Sequence, residues 1–473
     1  MNRDNSYESI LSRQNEIMLS STGIDYSKFE SEGIGFDYEK MMREPEDFSI
    51  EEIRKIQADR AVGNTPLLEM KNLTALARKY AEPGKGARIF VKDEACNASG
   101  SFKARRASMA VYLAKKLGYK GVACATSGNY GAAVAAQAAM AGLHCIVVQE
   151  CYDSRMVGQP EILEKQRICE AYGAEVIQLT VGPELFSTYL QILEETGYFN
   201  ASLYVPFAIA GIETLGYELV EQCREKTGKD PDVVVCTNAG GGNLTGTARG
   251  VKKAGSKAQI VGASVDLSGL HMASDHDFNR KSFTTGHTGF SIPFITWPDR
   301  SDVPRNAARF LRYADRYVIV KQGETFYITE ALASLEGYER GPAGNTSLTA
   351  AFAMAQDMDE DQIIIVQETE YTGAGKHPTA QLTFAKKNGV EIKFGNPDDD
   401  KPGENIIFPS DPSFIKAREF DMNALRRSYI KNAVKNNQLQ KATRADIIYL
   451  SEETKLSEDE VIQKLKEFDV EAE

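Results

Sequence analysis

The chain has 473 residues, 42% hydrophobic and 26% charged, which is enough to bury a large core in an ordinary water-soluble fold. A formal net charge of -12 argues against a nucleic-acid-binding surface, so any anionic ligand needs a local pocket of amides or basic side chains. Seven cysteines without a CxxC pair and five histidines without an HxxxH or HExxH pattern argue against a disulfide scaffold and a metal site.

The opening stretch, "MNRDNSYESILSRQNEIM", carries no apolar run, so no secretory signal is expected. Nor does any run reach the length of a membrane span. The chain therefore reads as cytoplasmic, with its cysteines reduced and in the core. Residues 1–60 are polar and acidic, with helix-like pieces such as "FSIEEIRKIQADR", and are expected to form an arm on the main body.

A strand–helix alternation fills 61–394. The expected strands are Arg88–Val91, Gly121–Ala125, Cys145–Gln149, Val176–Leu179, Val233–Cys236, Ile260–Val265 and Ile363–Gln367, short apolar runs suited to burial on both faces. Helical patterns lie between them: Ala107, Ala110, Val111, Ala114 and Leu117 share one face behind Lys103, and Ala132–Ala141 is a small-residue helix fit for close packing. The fold class is α/β with mainly parallel sheets. "GNPDDDKPGEN" is expected to open a linker and a charged helical extension over 395–473.

Four stretches carry chemistry. In "NASGSFKARR", Lys103 stands at the first turn of a helix, where the helix dipole disfavours a cation. It is either a surface residue or an amine held for reaction. Arg105 and Arg106, one turn in, are expected to be solvated, with coenzyme phosphates the alternative. "CTNAGGGNLTGTARG" follows a strand, and Gly240, Gly241 and Gly242 let backbone amides converge at a helix N-terminus, which suits a phosphate or a tight packing turn.

"ATSGNYGAA" places Ser127, Gly128, Asn129, Tyr130 and Gly131 at another strand's carboxyl edge, as a ligand loop or a helix cap. "ETEYTGAGKHP" offers the Thr372 hydroxyl, Lys376 and His377. A lysine among a phosphate loop, an asparagine and a hydroxyl suggests a pyridoxal phosphate site.

"VGNTPLL", "GSFKARRA", "TSGNYGAAVA", "AGGGNLTG" and "LEGYERGPAGNTSL" occur in an order that resembles the fold-type II pyridoxal phosphate enzymes, the tryptophan synthase beta and threonine synthase group. The resemblance covers roughly residues 60 to 390. It implies two α/β lobes, the smaller near 101–200 closing on substrate. It also implies that Lys103 forms the imine with the cofactor, that Asn129 binds the ring hydroxyl, and that Gly240, Gly241, Gly242 and Asn243 hold the phosphate. Thr372 would face the pyridine nitrogen, with Glu368 and Glu370 as competitors. The loop from Ser127 through Gly128, Tyr130 and Gly131 would hold the substrate carboxylate.

A narrower resemblance spans the whole chain. "YESILSRQNEIM", "SVDLSGLHMASD", "KSFTTGHTGF" and "QETEYTGAGKHP" are similar to segments of the thiolase beta subunits that act on 2-amino-4-oxopentanoate in anaerobic ornithine degradation. That resemblance implies cleavage of the substrate by coenzyme A to acetyl-CoA and alanine, a small alpha subunit as partner, and a hetero-oligomer built on a beta dimer. His271, His287 and His377 are candidates to assist the thiol or the C4 oxygen, against a structural role that is favoured for each, with His287 foremost because small residues surround it. The alternatives are a beta-elimination or beta-replacement lyase of the threonine synthase or diaminopropionate ammonia-lyase type, and a cofactor-binding subunit without turnover.

Overall fold

All seven apolar runs expected as strands form strands, each extended at one or both ends. The computed structural model describes residues 4–126, 128–152, 156–158, 160–180, 182, 184–202, 204–266, 303–305, 307–368, 370–371 and 377–472. In chain order the strands are β1 (Leu67–Glu69), β2 (Arg88–Asp93), β3 (Gly121–Thr126), β4 (His144–Tyr152), β5 (Glu175–Thr180), β6 (Phe199–Asn200), β7 (Val233–Thr237), β8 (Gln259–Val265), β9 (Arg316–Val320), β10 (Ile363–Glu368), β11 (Glu391–Gly395), β12 (Asn405–Pro409), β13 (Arg418–Glu419), β14 (Lys441–Ala442) and β15 (Glu471–Ala472).

One sheet has the order β1-β2-β10-β7-β8-β9-β13, parallel except for the antiparallel edge strands β1 and β13. A smaller sheet, β5-β4-β3-β6, is parallel throughout. Helices cover the sheet faces, so the central strands are apolar along their length rather than alternating. Every residue of β3 is buried, as are Ile363 to Gln367 of β10. β9 pairs in parallel with β8 and so belongs to the large sheet.

The helix Lys103–Lys116 packs against both the Asn129–Ala141 helix and the long Pro206–Thr227 helix, and its residues from Ala104 to Val111 are all buried. Arg105 and Arg106 are therefore interior, not solvated as expected. A helix closed in from several sides has no water-facing stripe on which to place a charge. All seven cysteines are free, and six are buried; Cys96 is exposed, which corrects the expectation that it lies in the core.

The Pro206–Thr227 helix meets the helix Gly242–Lys253 through glycines. A Cβ at Gly216 would stand 2.0 Å from the Thr247 carbonyl oxygen, and one at Gly250 would stand 2.0 Å from that of Glu213. This contact of backbone on backbone sets the height at which the Gly242 helix begins, at the carboxyl end of β7.

Both extensions are tied to the body and to each other. Arg13 pairs with Glu194 at 2.8 Å, and the Ile34 amide donates to Asp446 Oδ1 at 2.8 Å. The "GNPDDDKPGEN" stretch runs between β11 and β12, which pair in parallel, and β13 then adds to the large sheet. The helices Met422–Asn436, Arg444–Thr454 and Glu458–Glu467 follow. Among the described residues no helix is long and apolar enough to cross a membrane, and no group of His, Cys, Asp and Glu side chains could hold a metal ion.

The glycine contact gives a direct stability test. Gly216→Ala forces two backbones apart and should cost about 1–3 kcal/mol, read as a lower midpoint in urea or thermal unfolding. An unchanged midpoint would show that the two helices are not held at contact distance.

Candidate active site

The segment leading to Lys103 is pinned before the lysine is reached. Asn97 accepts from the Gly63 amide at 2.8 Å and donates to Glu94, which fixes the "VGNTP" turn against the end of β2. Ser99 and Gly100 then both take positive φ, 65° and 72°, the former a conformation that a residue with a side chain adopts at a cost. The Tyr371 amide donates to the Gly100 carbonyl at 2.8 Å, and Ser101 bridges Glu370. The approach to Lys103 is thus stitched to the chain that leaves β10.

Arg105 anchors the same helix. Its guanidinium donates to Glu94 at 2.7 and 2.8 Å, to Glu218 at 3.0 and 2.8 Å, and to Thr214 at 2.9 Å, with no exposed surface. Lys92 joins through Glu218 at 3.0 Å and the Thr65 carbonyl at 2.6 Å. Burial alone would raise the Glu218 carboxyl, but Arg105 and Lys92 override it and hold it well below the usual range. Two cations and two carboxylates balance, so the cluster is neutral and its donors are satisfied.

Lys103 itself is half-buried at the first helical position, its amine 4.6 Å from the centre of the Phe102 ring. Burial lowers its pKa to about 8, with Arg106 and Lys165 pushing the same way and Glu370 and Glu161 opposing. These groups form the surroundings of the amine. Glu370 is buried and its Oε2 accepts from the Asn129 amide. Glu161, on the helix Pro160–Ala171, accepts from Gln381 at 3.2 Å, and burial together with the Glu370 charge pushes its carboxyl up to about 8.

The glycine loop forms the opposite side. Gly241 takes φ +86° and caps the helix that Gly242 begins, with no side chain in the cap. The Tyr204 hydroxyl occupies the place where a Cβ at Gly240 would stand, and Arg106 Nη2 lies 2.7 Å from the Cβ position of Gly242. The Asn243 amide is spent on the Thr237 carbonyl at 3.1 Å and on Gln367 of β10. The last of the sequence motifs closes the floor. Arg340 binds Asp93, and Ser347 donates to the Gln367 carbonyl at 3.3 Å.

The structure thus brings Lys103, Asn129, Gly240, Gly241, Gly242 and Asn243 around one site. Asn129 does not act as a helix cap; Gly128 holds that position, in extended backbone. Tyr130 turns its ring into the core and its hydroxyl donates to the Ala201 carbonyl at 2.6 Å, so the side chain packs. Gly131 is required by packing, since a Cβ there would stand 2.7 Å from Thr126 Cγ2. Ser127, Thr372, Lys376, His271 and His287 lie outside the described residues, as does the side chain of His377.

Sequence reasoning missed Glu161, Lys165 and Tyr204. A glutamate in "PEILEKQRICEA" reads as a solvated face, and its partner Gln381 comes from far along the chain. The donor set fits a phosphorylated aldehyde: backbone amides without side chains at a helix N-terminus, and an amine of lowered pKa.

Comparison with known proteins agrees. A family model described as pyridoxal-phosphate dependent enzyme matches residues 58–368. The 2-amino-4-ketopentanoate thiolase beta subunit of Acetoanaerobium sticklandii is 68% identical over 99% of this chain and 99% of its own. The chain belongs to this family of thiolase beta subunits, within the pyridoxal-phosphate-dependent enzymes. A second thiolase beta subunit, from an unknown prokaryotic organism, is 63% identical over 99% of this chain and 100% of its own. Among solved structures, serine racemase from Dictyostelium discoideum shares the fold at a TM-score of 0.52 and 19% identity, covering 69% of this chain and 98% of that one.

The lowered pKa of Lys103 has a stability consequence. The unfolded chain keeps the proton up to the ordinary 10.5 while the folded chain sheds it near 8, so folding bears the full cost below about pH 8 and is relieved as pH rises toward 10.5. Cofactor-free Lys103→Met should therefore be more stable than the wild type at pH 7, by about 1–3 kcal/mol, and the gap should close above pH 10. A less stable variant at pH 7 would contradict the burial of this amine.

Proposed function

We propose that this chain is the catalytic, pyridoxal-phosphate-bearing beta subunit of a thiolase that cleaves 2-amino-4-oxopentanoate with coenzyme A to acetyl-CoA and alanine. In this reading it works in ornithine degradation in the cytoplasm, with a small alpha subunit, as a hetero-oligomer on a beta dimer. The observation that carries it is the meeting of a half-buried amine, its pKa lowered to about 8, with a side-chain-free glycine loop, in a chain of this family. An arm over 1–60, a core over 61–394 with a smaller lobe near 101–200, and an extension over 395–473 form the division that accompanies it.

Lys103 would anchor the cofactor and Asn129, which donates to Glu370 here, would face its ring hydroxyl. Gly240, Gly241, Gly242 and the backbone of Asn243 hold the phosphate. The Ser127–Gly131 loop takes the substrate carboxylate through its backbone, Thr372 faces the pyridine nitrogen, and His287 attends the thiol. Pyridoxal phosphate, when bound, supplies an electron sink next to the substrate's amine carbon.

The chain's own groups move the protons. Lys103, neutral once deprotonated near pH 8, takes the proton from the substrate's Cα. The coenzyme A thiolate forms its bond to C4, the C3–C4 bond breaks, and the electron pair stays on C3. Lys103 returns a proton to C3, which becomes the methyl group of alanine, and the proton given up by the coenzyme A thiol restores the hydrogen on Cα. Glu161 keeps its proton at neutral pH and is the second acid of the site. Substrate and thiol together contain the atoms of acetyl-CoA and alanine, so no oxidant or further reactant is needed.

The test is product formation by the chain loaded with pyridoxal phosphate, mixed with coenzyme A and 2-amino-4-oxopentanoate, with and without the small partner subunit. Acetyl-CoA and alanine in equal amounts are expected, and dependence on the partner would place part of the coenzyme A site there. Ammonia and a keto acid from a beta-substituted amino acid, with no acetyl-CoA from the partnered protein, would overturn this reading in favour of a lyase.

A further inference from the structure

We propose that Lys165 is a direct ligand of the substrate's carboxylate, a fixed cation that selects amino acids over neutral amines. The assignment rests on the proposed function above and adds a side chain to a carboxylate subsite given there to backbone alone. Lys165 lies on the helix Pro160–Ala171 and is 5% exposed. Its stem passes the loop after β3, with Cγ 3.9 Å from the position a Gly128 Cβ would take. Its ammonium ends at the chain leaving β10, where it donates to the Tyr371 carbonyl at 3.5 Å. Lys165 therefore crosses from the small sheet's ligand loop to the segment whose Tyr371 amide is tied to Gly100, on the approach to Lys103.

Among the described residues that long contact is the one hydrogen bond the ammonium makes, so most of its donor capacity is unspent. Glu161, one turn earlier on the same helix, does not supply a full counter-charge: its carboxyl accepts from Gln381 and keeps its proton at neutral pH. Glu370 accepts from the Asn129 amide. A buried cation held in this way is unfavourable by itself and becomes favourable when an anion arrives. The Asn129–Ala141 helix starts beside the same Gly128 and turns its positive dipole end there. The substrate's amine must take the place of the Lys103 amine, and its carboxylate is carried by the adjoining carbon. A cation whose charge already acts on Lys103 is thus within reach of that carboxylate. The cofactor's phosphate, assigned above to the loop from Gly240 to Asn243, does not compete for it.

The test titrates the full chain, loaded with pyridoxal phosphate, with racemic alanine and with racemic alaninamide, whose carboxamide has a similar size and no charge. Binding is read from the cofactor's absorbance, so no turnover is needed. Lys165→Met should weaken alanine about 10- to 100-fold and leave alaninamide within about twofold. Lys165→Arg should fall between, because it keeps the charge but carries it on a larger, planar group. A purely structural role, or an effect passed on through the Lys103 amine, would weaken both compounds equally. Such an equal loss, or an unchanged alanine affinity, would overturn the assignment. Should Lys165→Met fail to take up the cofactor, the ratio of the two affinities in Lys165→Arg decides. A wild-type chain that takes up pyridoxal phosphate and binds neither compound would overturn the proposed function itself, and this assignment with it.

Discussion

The fully buried Arg105 is the constraint on which the site depends. It stands two residues after the amine at Lys103, and its fork is closed by Glu94 from the end of β2 and Glu218 from the long helix. Removing either partner would leave a buried charge unpaired, which costs about 3–5 kcal/mol. That penalty is what prevents the first turn of the Lys103 helix from sliding or rotating. The "VGNTP" turn serves the same cluster: Asn64 gives its amide to Glu218 at 3.1 Å, and Thr65 gives its hydroxyl to Glu94 at 2.6 Å.

Once the helix is fixed, the site is a balance of charges. Lys103, Lys165 and Arg106 act against Glu161 and Glu370, and desolvation pushes the Lys103 amine and the Glu161 carboxyl toward their neutral forms. An amine and a carboxyl that both titrate near pH 8 suit proton exchange at a carbon atom better than an ion pair would. Asn129, donating to Glu370, is held ready on the same side as the amine. The glycine loop faces them from the carboxyl end of β7, at the height set by the glycine contact between two helices.

Much of this was legible in the residues, and the reasons are specific. Strands buried on both faces are apolar along their length, so Val233–Thr237 and Ile363–Glu368 announce themselves. β1, β6 and β13 are two or three residues long and have no period to read. Lys103 and the glycines were readable because their residue types conflict with a plain helix start and a plain turn. Arg105 and Arg106 were misread because charge implies solvent until the packing of three helices is known. Glu161 was missed for the same reason, since its hydrogen-bond partner Gln381 lies 220 residues away.

The account's central claim is that Lys103, and not its buried neighbour Lys165, is the amine that holds the cofactor. Borohydride reduction of the chain loaded with pyridoxal phosphate, followed by digestion and mass mapping, reads this directly. The expected result is a single pyridoxyl adduct on the peptide that carries Lys103. An adduct on Lys165, or label scattered over surface lysines with none on Lys103, would contradict it.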